Sequence, residues 1–203
     1  MHLDLPHLIY SGPAIDDEPM LAQLPRELRA ALRKRNGCIA YLGAIHIRGA
    51  SLEPSWHSLR SAFEGPAAFA KLYPEVFATD IPFAEEAFGD QFLLRGGAVV
   101  RLEAEGGAID PVAPSLEEFF DRLLTNPAGA LGYEPVTGLA VIGGRLEPGS
   151  LISVFPPFNL DTDGKDRSFR SIDALEQRAW LADFTAQIRD LPDGTPVNIK
   201  VHE

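Results

Sequence analysis

Residues 80–124 read DIPFAEEAFGDQFLLRGGAVVRLEAEGGAIDPVAPSLEEFFDRLL, and this stretch decides the fold. Phe88-Gly89-Asp90 turns the chain into a strand, Gln91–Arg95, which Gly96-Gly97 ends. A two-residue reversed turn needs φ > 0 at its centre, where a side chain would clash, so a Gly pair fits it. The return strand, Ala98–Glu105, alternates Val100, Leu102 and Ala104 with Val99, Arg101, Glu103 and Glu105. That alternation predicts one apolar face and one charged, half-exposed face. Gly106-Gly107 makes a second turn, and Ala108-Ile109-Asp110 a short third strand.

A helix follows. Ser115 and Glu118 have the spacing of a capping box, in which the hydroxyl accepts from a backbone N–H and the carboxylate reaches back. Leu116, Phe119, Phe120, Leu123 and Leu124 recur at helical period, an apolar stripe suited to covering a sheet.

Working outward, 25–35 reads as a helix with a Leu24, Leu28, Ala31, Leu32 stripe and Gly37 beyond its end. Ile39–Ile47 reads as strand at both ends, broken at Gly43. Pro54–Phe63 reads as helix with Trp56, Leu59 and Phe63 inward, and Pro66–Leu72 as another short helix. Residues 1–23 mix Pro, Gly and acids and are expected to be an irregular arm. After Asn126-Pro127 the chain becomes rich in Gly and small apolar residues, with Gly143-Gly144 expected to turn between short strands. Leu151–Phe155 is a strand halted by Pro156-Pro157, 172–189 a helix facing inward through Trp180, Leu181, Phe184 and Ile188, and 195–201 a closing strand. The expected architecture is α+β: one mostly antiparallel twisted sheet covered by helices. Residues 24–203 form a single domain, with 133–203 as a C-terminal helix–strand extension; a separate small C-terminal domain is the alternative.

Candidate chemistry is thin. Asp161-x-Asp163-Gly164-x-Asp166 is a poor calcium loop, because Gly164 comes too early and Ile172 stands at the twelfth position. His46 and His57 are able to meet in space, with Asp80 or Glu85 as a third ligand, but nothing in their spacing resembles a zinc motif. Cys38 lies among aliphatic residues, where a buried, inert thiol is expected. The glycine pairs match no phosphate-binding pattern, and Glu85-Glu86 reads as a solvated pair on a loop. No metal and no cofactor is expected.

The net charge of −11 disfavours nucleic acid and anionic membrane, and suits a basic partner whose approach it would steer. One cysteine excludes an internal disulfide. The N-terminus lacks a signal-peptide pattern, so the expected location is the cytoplasm.

At IPFAEEAFGDQFLL, VVRLEAE and SLEEFFDRLL the chain resembles the SUKH superfamily, which includes yeast cell-wall synthesis regulators and many bacterial toxin-immunity proteins. Trp56-His57-Ser58-Leu59 and Leu72-Tyr73-Pro74 resemble relatives grouped with immunity proteins of contact-dependent and type VI secretion toxins. The resemblance covers residues 24–125; residues 133–203 exceed what a minimal member needs. It implies a non-catalytic protein that neutralises a cognate toxin by occlusion. Expected partner-binding residues are Glu85, Glu86 and Asp90 at the hairpin mouth, and Arg101 and Glu103 on its exposed face. Trp56 is an anchor or a core residue. The alternatives are a cytoplasmic regulatory scaffold of the same fold without a toxin, and a small metal-dependent hydrolase.

Overall fold

Strand alternation and Gly-pair turns build an antiparallel meander in chain order: β1 (Tyr10–Ser11), β2 (Cys38–Ala40), β3 (Ile45–Ile47), β4 (Ile81–Glu86), β5 (Gln91–Arg95), β6 (Ala98–Leu102) and β7 (Ile109–Ala113). The structure is a computed structural model and describes residues 4–162, 164, 166–192 and 194–197. A second antiparallel pair, β8 (Ser150–Phe155) and β9 (Ser168–Asp173), forms its own two-stranded sheet, which packs on the meander through Ile152 and Val154. The helices are α1 (Glu18–Gln23), α2 (Arg26–Lys34), α3 (Leu59–Phe63), α4 (Phe69–Leu72), α5 (Leu116–Thr125), α6 (Pro127–Leu131), α7 (Pro135–Ala140) and α8 (Ala174–Ile188). The architecture is α+β, as the pattern predicts.

The decisive stretch folds as read. β5 and β6 pair with Arg95 opposite Ala98 across Gly96-Gly97, which sit at φ 58° and 95°. Ser115 caps α5, its Oγ accepting from the Glu118 N–H at 3.1 Å, while the Glu118 carboxylate turns to Arg122 instead of reaching back. Leu116, Phe119, Phe120 and Leu123 are buried, and Phe119 packs edge-on against Phe83, centroids 5.5 Å apart. Each such side chain contributes about 1.5–3 kcal/mol by leaving water.

The hairpin is covered on both faces. Phe92, Leu94 and Val99 belong to the main core beneath α5, whereas Leu93 and Leu102 pack with Phe69, Tyr73 and Ala182 on the other side. The charged face of β6 is half-exposed at Arg101, Glu103 and Glu105, as the alternation predicts, while Val99 on that face is buried. The N-terminal stretch is no loose arm either. β1 pairs with β2, Asp17 caps α1, and Leu5, Met20 and Leu21 enter the main core. Its proline and acids had masked this, yet Asp17 and Pro19 are the N-cap and early-turn residues of a helix.

Three further readings change. The helix expected from Pro54 begins at Leu59, because Gly49 and Ser58 bridge and hold 54–58 as a turn. The short strands expected around Gly143-Gly144 are replaced on their N-terminal side by α7, opened by Pro135. β9 runs into the start expected for the 172–189 helix, and Asp173 caps α8 through Leu175 and Glu176 N–H. The closing strand expected over 195–201 lies outside the described residues from 198 onward, as do Asp163 and Lys165 of the acidic loop; Thr195–Val197 carry no strand.

Candidate functional site

One row of residues crosses the sheet. Antiparallel register sets Ile39 opposite His46, His46 opposite Glu85, and Glu85 opposite Gln91. Cross-strand neighbours project to the same face, so His46, Glu85 and Gln91 meet by topology alone. Arg48, just past β3, and Arg178 of α8 close on the same carboxylate. His57 arrives from the turn before α3, in a niche walled by glycine backbones. A Cβ on Gly12, Gly37 or Gly49 would fall 2.5 to 2.6 Å from its ring atoms.

The network is dense and buried. His46 Nδ1 lies 2.8 Å from Glu85 Oε1, and His46 Nε2 lies 2.8 Å from His57 Nδ1. His57 Nε2 lies 2.9 Å from the Asn36 carbonyl. Arg48 Nη2 donates to Glu85 Oε2 at 2.9 Å and to Gln91 Oε1 at 2.6 Å, and its Nη1 donates to the Pro82 carbonyl at 2.8 Å. Arg178 grips both Glu85 oxygens, with Nε 2.8 Å from Oε2. Arg48 is fully buried. Burial alone would raise the Glu85 carboxyl, but Arg178 and Arg48 hold it well below the usual carboxylate range. Burial pushes His46 down to about 4 against the pull of Glu85, and His57 down to about 3 with His46 beside it.

These groups turn no free face to a substrate. Both nitrogens of each imidazole face a partner, and both Glu85 oxygens accept from guanidinium. A general base must lie within reach of the proton it takes from a substrate, and every ring nitrogen here is turned to a protein partner instead. The cleft above His46, bounded by Trp56, Glu86, Leu146 and Gly149, has a volume of about 10 Å³, room for a single water. Trp56 roofs it, its ring 5.3 Å from His46, 5.6 Å from His57 and 5.0 Å from Tyr10. His46 and His57 thus do meet, with Glu85 in third place. They meet nitrogen to nitrogen at hydrogen-bond distance, which leaves no space for an ion between them. Asp80 goes elsewhere, pairing with Arg95 at 2.6 Å.

The residues expected to bind a partner divide. Glu85 and Glu86 are 1% and 3% exposed, so neither forms an exposed mouth. Both sit in β4 rather than on a loop, with Arg178 of α8 closing over Glu85 and Tyr133 beside Glu86. Glu86 accepts from the Phe88 and Asp90 N–H groups, and burial, then Asp90, raise its carboxyl well above the usual range. Trp56 is a roof over the network and half-buried. Asp90 braces the turn, accepting from Ala104 N–H at 2.9 Å; burial pushes it up to about 6, with Ala104 and Arg101 opposing and Glu103 and Asp110 assisting. Arg101 lies between Asp90 and Asp110, 3.8 and 3.6 Å away, and Glu103 is half-buried beside Gly106.

Pattern reading missed Arg48, Arg178, Gln91 and Asn36. The signal for Arg178 was present: a cation on the α8 face that also carries Leu181 and Phe184. It also missed the neighbouring surface. Phe158 is 49% exposed and touches Phe88 and Phe169, centroids 5.6 and 6.4 Å away. Its loop is tied to the turn between β6 and β7 by Asn159, which donates to Glu105 through N and Nδ2 at 3.2 and 3.0 Å. Arg167 fixes the loop by donating to the Pro156, Phe158 and Leu160 carbonyls. Among the described residues no helix is long and apolar enough to cross a membrane. Compared with known protein families, curated proteins and solved structures, the chain matches none.

Proposed function

We propose that this chain is a non-catalytic protein-binding domain, acting in the cytoplasm as an immunity protein that occludes a cognate secreted toxin presenting a basic surface. The carrying observation is Phe158, half exposed on a braced loop next to Asn159, which bonds Glu105, a carboxylate that Asp90 and Glu103 neighbour. An aromatic anchor inside a charged rim is the anatomy of an interface hot spot. Bracing by Arg167 and Asn159 lowers the ordering cost of binding. The net charge of −11 would draw a basic surface toward this rim. The saturation of the His46–Glu85 network supports a role without bond-making chemistry. The resemblance to SUKH immunity proteins, including type VI secretion relatives, gives the partner class; a scaffold role in the same fold would leave the surface unoccupied by a toxin.

The test is co-expression with the product of the adjacent gene. One tight 1:1 or higher complex, with protection of cells from that product, is expected. A purified chain that neither binds nor protects overturns the proposal, and retained protection in Phe158→Ala with Glu103→Lys moves the interface elsewhere.

A further inference from the structure

Counting protons along the buried row leads beyond partner binding. The chain runs from the Asn36 carbonyl to His57, to His46, to the Glu85 carboxylate, through three contacts of 2.9, 2.8 and 2.8 Å. Both ends are acceptors. Three hydrogen bonds therefore need three protons, one in each contact. Two neutral imidazoles bring two, because each carries a single N–H. Whichever tautomers are chosen, one contact is left with lone pair against lone pair at hydrogen-bond distance. A single added proton repairs this, whether it sits on His46, on His57 or in the His46–Glu85 contact. A second added proton would set two N–H groups, or an N–H and an O–H, against each other.

We propose that the His46–His57 pair is a seat for one proton, which it accepts as a unit and whose loading completes the bonding between the Asn36 turn, the His57 turn, β3 and β4. The proton reaches His46 through the single-water cleft beneath Trp56. The charged and titratable groups facing the pair set its affinity. Glu85 on β4 favours loading. Arg48 beyond β3 and Arg178 on α8 oppose it, because the loaded cluster holds three cations against one carboxylate. Glu86 and Glu147 border the cleft; Glu147 favours loading, while burial holds Glu86 toward its neutral form, and Tyr10 of β1, with its ring 5.2 Å from His57, stays neutral. Burial makes the opposing side stronger in neutral solution, as the lowered values of about 4 and about 3 express. The bond that loading supplies acts against it, so the first proton enters on the acid side of the ordinary imidazole range while the second is refused. An unconnected pair of buried imidazoles would behave otherwise: each would take its own proton, and each would lose a partner in doing so.

The measurement is a long-range 1H–15N spectrum of the full chain labelled with 15N-histidine, followed from pH 7.5 to the onset of acid unfolding. The expected result is one transition in which the His46 and His57 ring signals move together, with an uptake of one proton per chain. Neutral signatures in both rings down to unfolding overturn the assignment, and so does separate uptake of two protons. In Trp180→Phe, which leaves Trp56 as the sole indole, emission should fall in step with the same transition, since an imidazolium at 5.3 Å quenches it. In His57→Ala the shortage disappears, because His46 keeps one acceptor, Glu85, and one N–H for it. Uptake of a proton by His46 at the wild-type pH there contradicts the proton count, and the wild-type titration decides alone if that variant does not fold.

Discussion

Arg178 in α8 and Glu85 in β4, 93 residues apart in sequence, form a two-pronged ion pair with Nε 2.8 Å from Oε2. The same guanidinium donates to the Trp56 carbonyl at 3.1 Å. One side chain thereby ties the C-terminal helix to the meander and to the turn that carries His57. Removing one partner of a buried pair leaves an under-compensated charge, at a cost of about 3–5 kcal/mol. Arg178→Ala should lower stability to urea by about 3 kcal/mol, toward the lower end because Arg48 still neutralises Glu85. Arg178→Lys should recover less than half, lacking the fork that spans two oxygens. Urea midpoints for the three proteins check this; a wild-type midpoint for Arg178→Ala refutes it.

Asp90 gives a pH signature with a definite sign. Its folded value is pushed up to about 6 from an ordinary 3.8, so between those values the folded chain binds the extra proton. Stability from this group is therefore full below the ordinary value and is lost as pH rises through about 6. Asp90→Asn keeps the acceptor for Ala104 and removes the charge. It should be more stable than wild type by about 1–2 kcal/mol at pH 7.5 and indistinguishable at pH 4. Equal stability at both pH values counts against the burial of this carboxyl.

The glycines around His57 separate packing from backbone freedom. Gly37 has φ 76°, and a Cβ there would stand 2.5 Å from the Ile47 carbonyl oxygen and 2.6 Å from His57 Cε1. Gly96 has φ 58° and open space around it. Gly96→Ala should cost about 1 kcal/mol of backbone strain, whereas Gly37→Ala should cost about 3 kcal/mol or more, because backbone must move as well. Comparable melting temperatures for the two would show that the niche is looser than its geometry.

The hairpin and α5 were legible because local rules agreed there: Gly-Gly turns, period-2 alternation and the Ser115 cap all point one way. β9 and α1 were not. Ser168–Asp173 mixes charged and apolar residues because both its faces are partly exposed, and the proline and acids that open α1 look like loop until Asp17 is seen as a cap. The burial of Glu85 and Glu86 was illegible for a different reason. Nothing local compensates Glu85, which Arg178 pairs from 93 positions away, and the Phe88 and Asp90 N–H groups turn to Glu86 only once the tight turn has formed. His46 and His57 were correctly seen as able to meet, but their saturation depends on the backbone carbonyl of Asn36, which carries no sequence signal.

Phe158 offers a cleaner separation of binding from folding. Its ring is half exposed, so Phe158→Ala should change stability by under about 1 kcal/mol. A hot-spot anchor costs about 2 kcal/mol or more in affinity when truncated, some thirtyfold. Circular dichroism melting and titration against the purified partner measure both quantities on one preparation.

The most direct test of the whole account compares surface and interior in one calorimetric series. The purified partner is titrated against wild type, Glu103→Lys/Asp110→Lys, and His57→Asn, at two salt concentrations. Affinity should fall at least tenfold in the charge-reversed surface variant and weaken with salt for wild type. The folded His57→Asn protein should bind within about twofold of wild type, because the interior network touches no partner. Unchanged affinity in the surface variant, together with loss of binding in His57→Asn, would contradict the claim that this protein works through its acidic exterior.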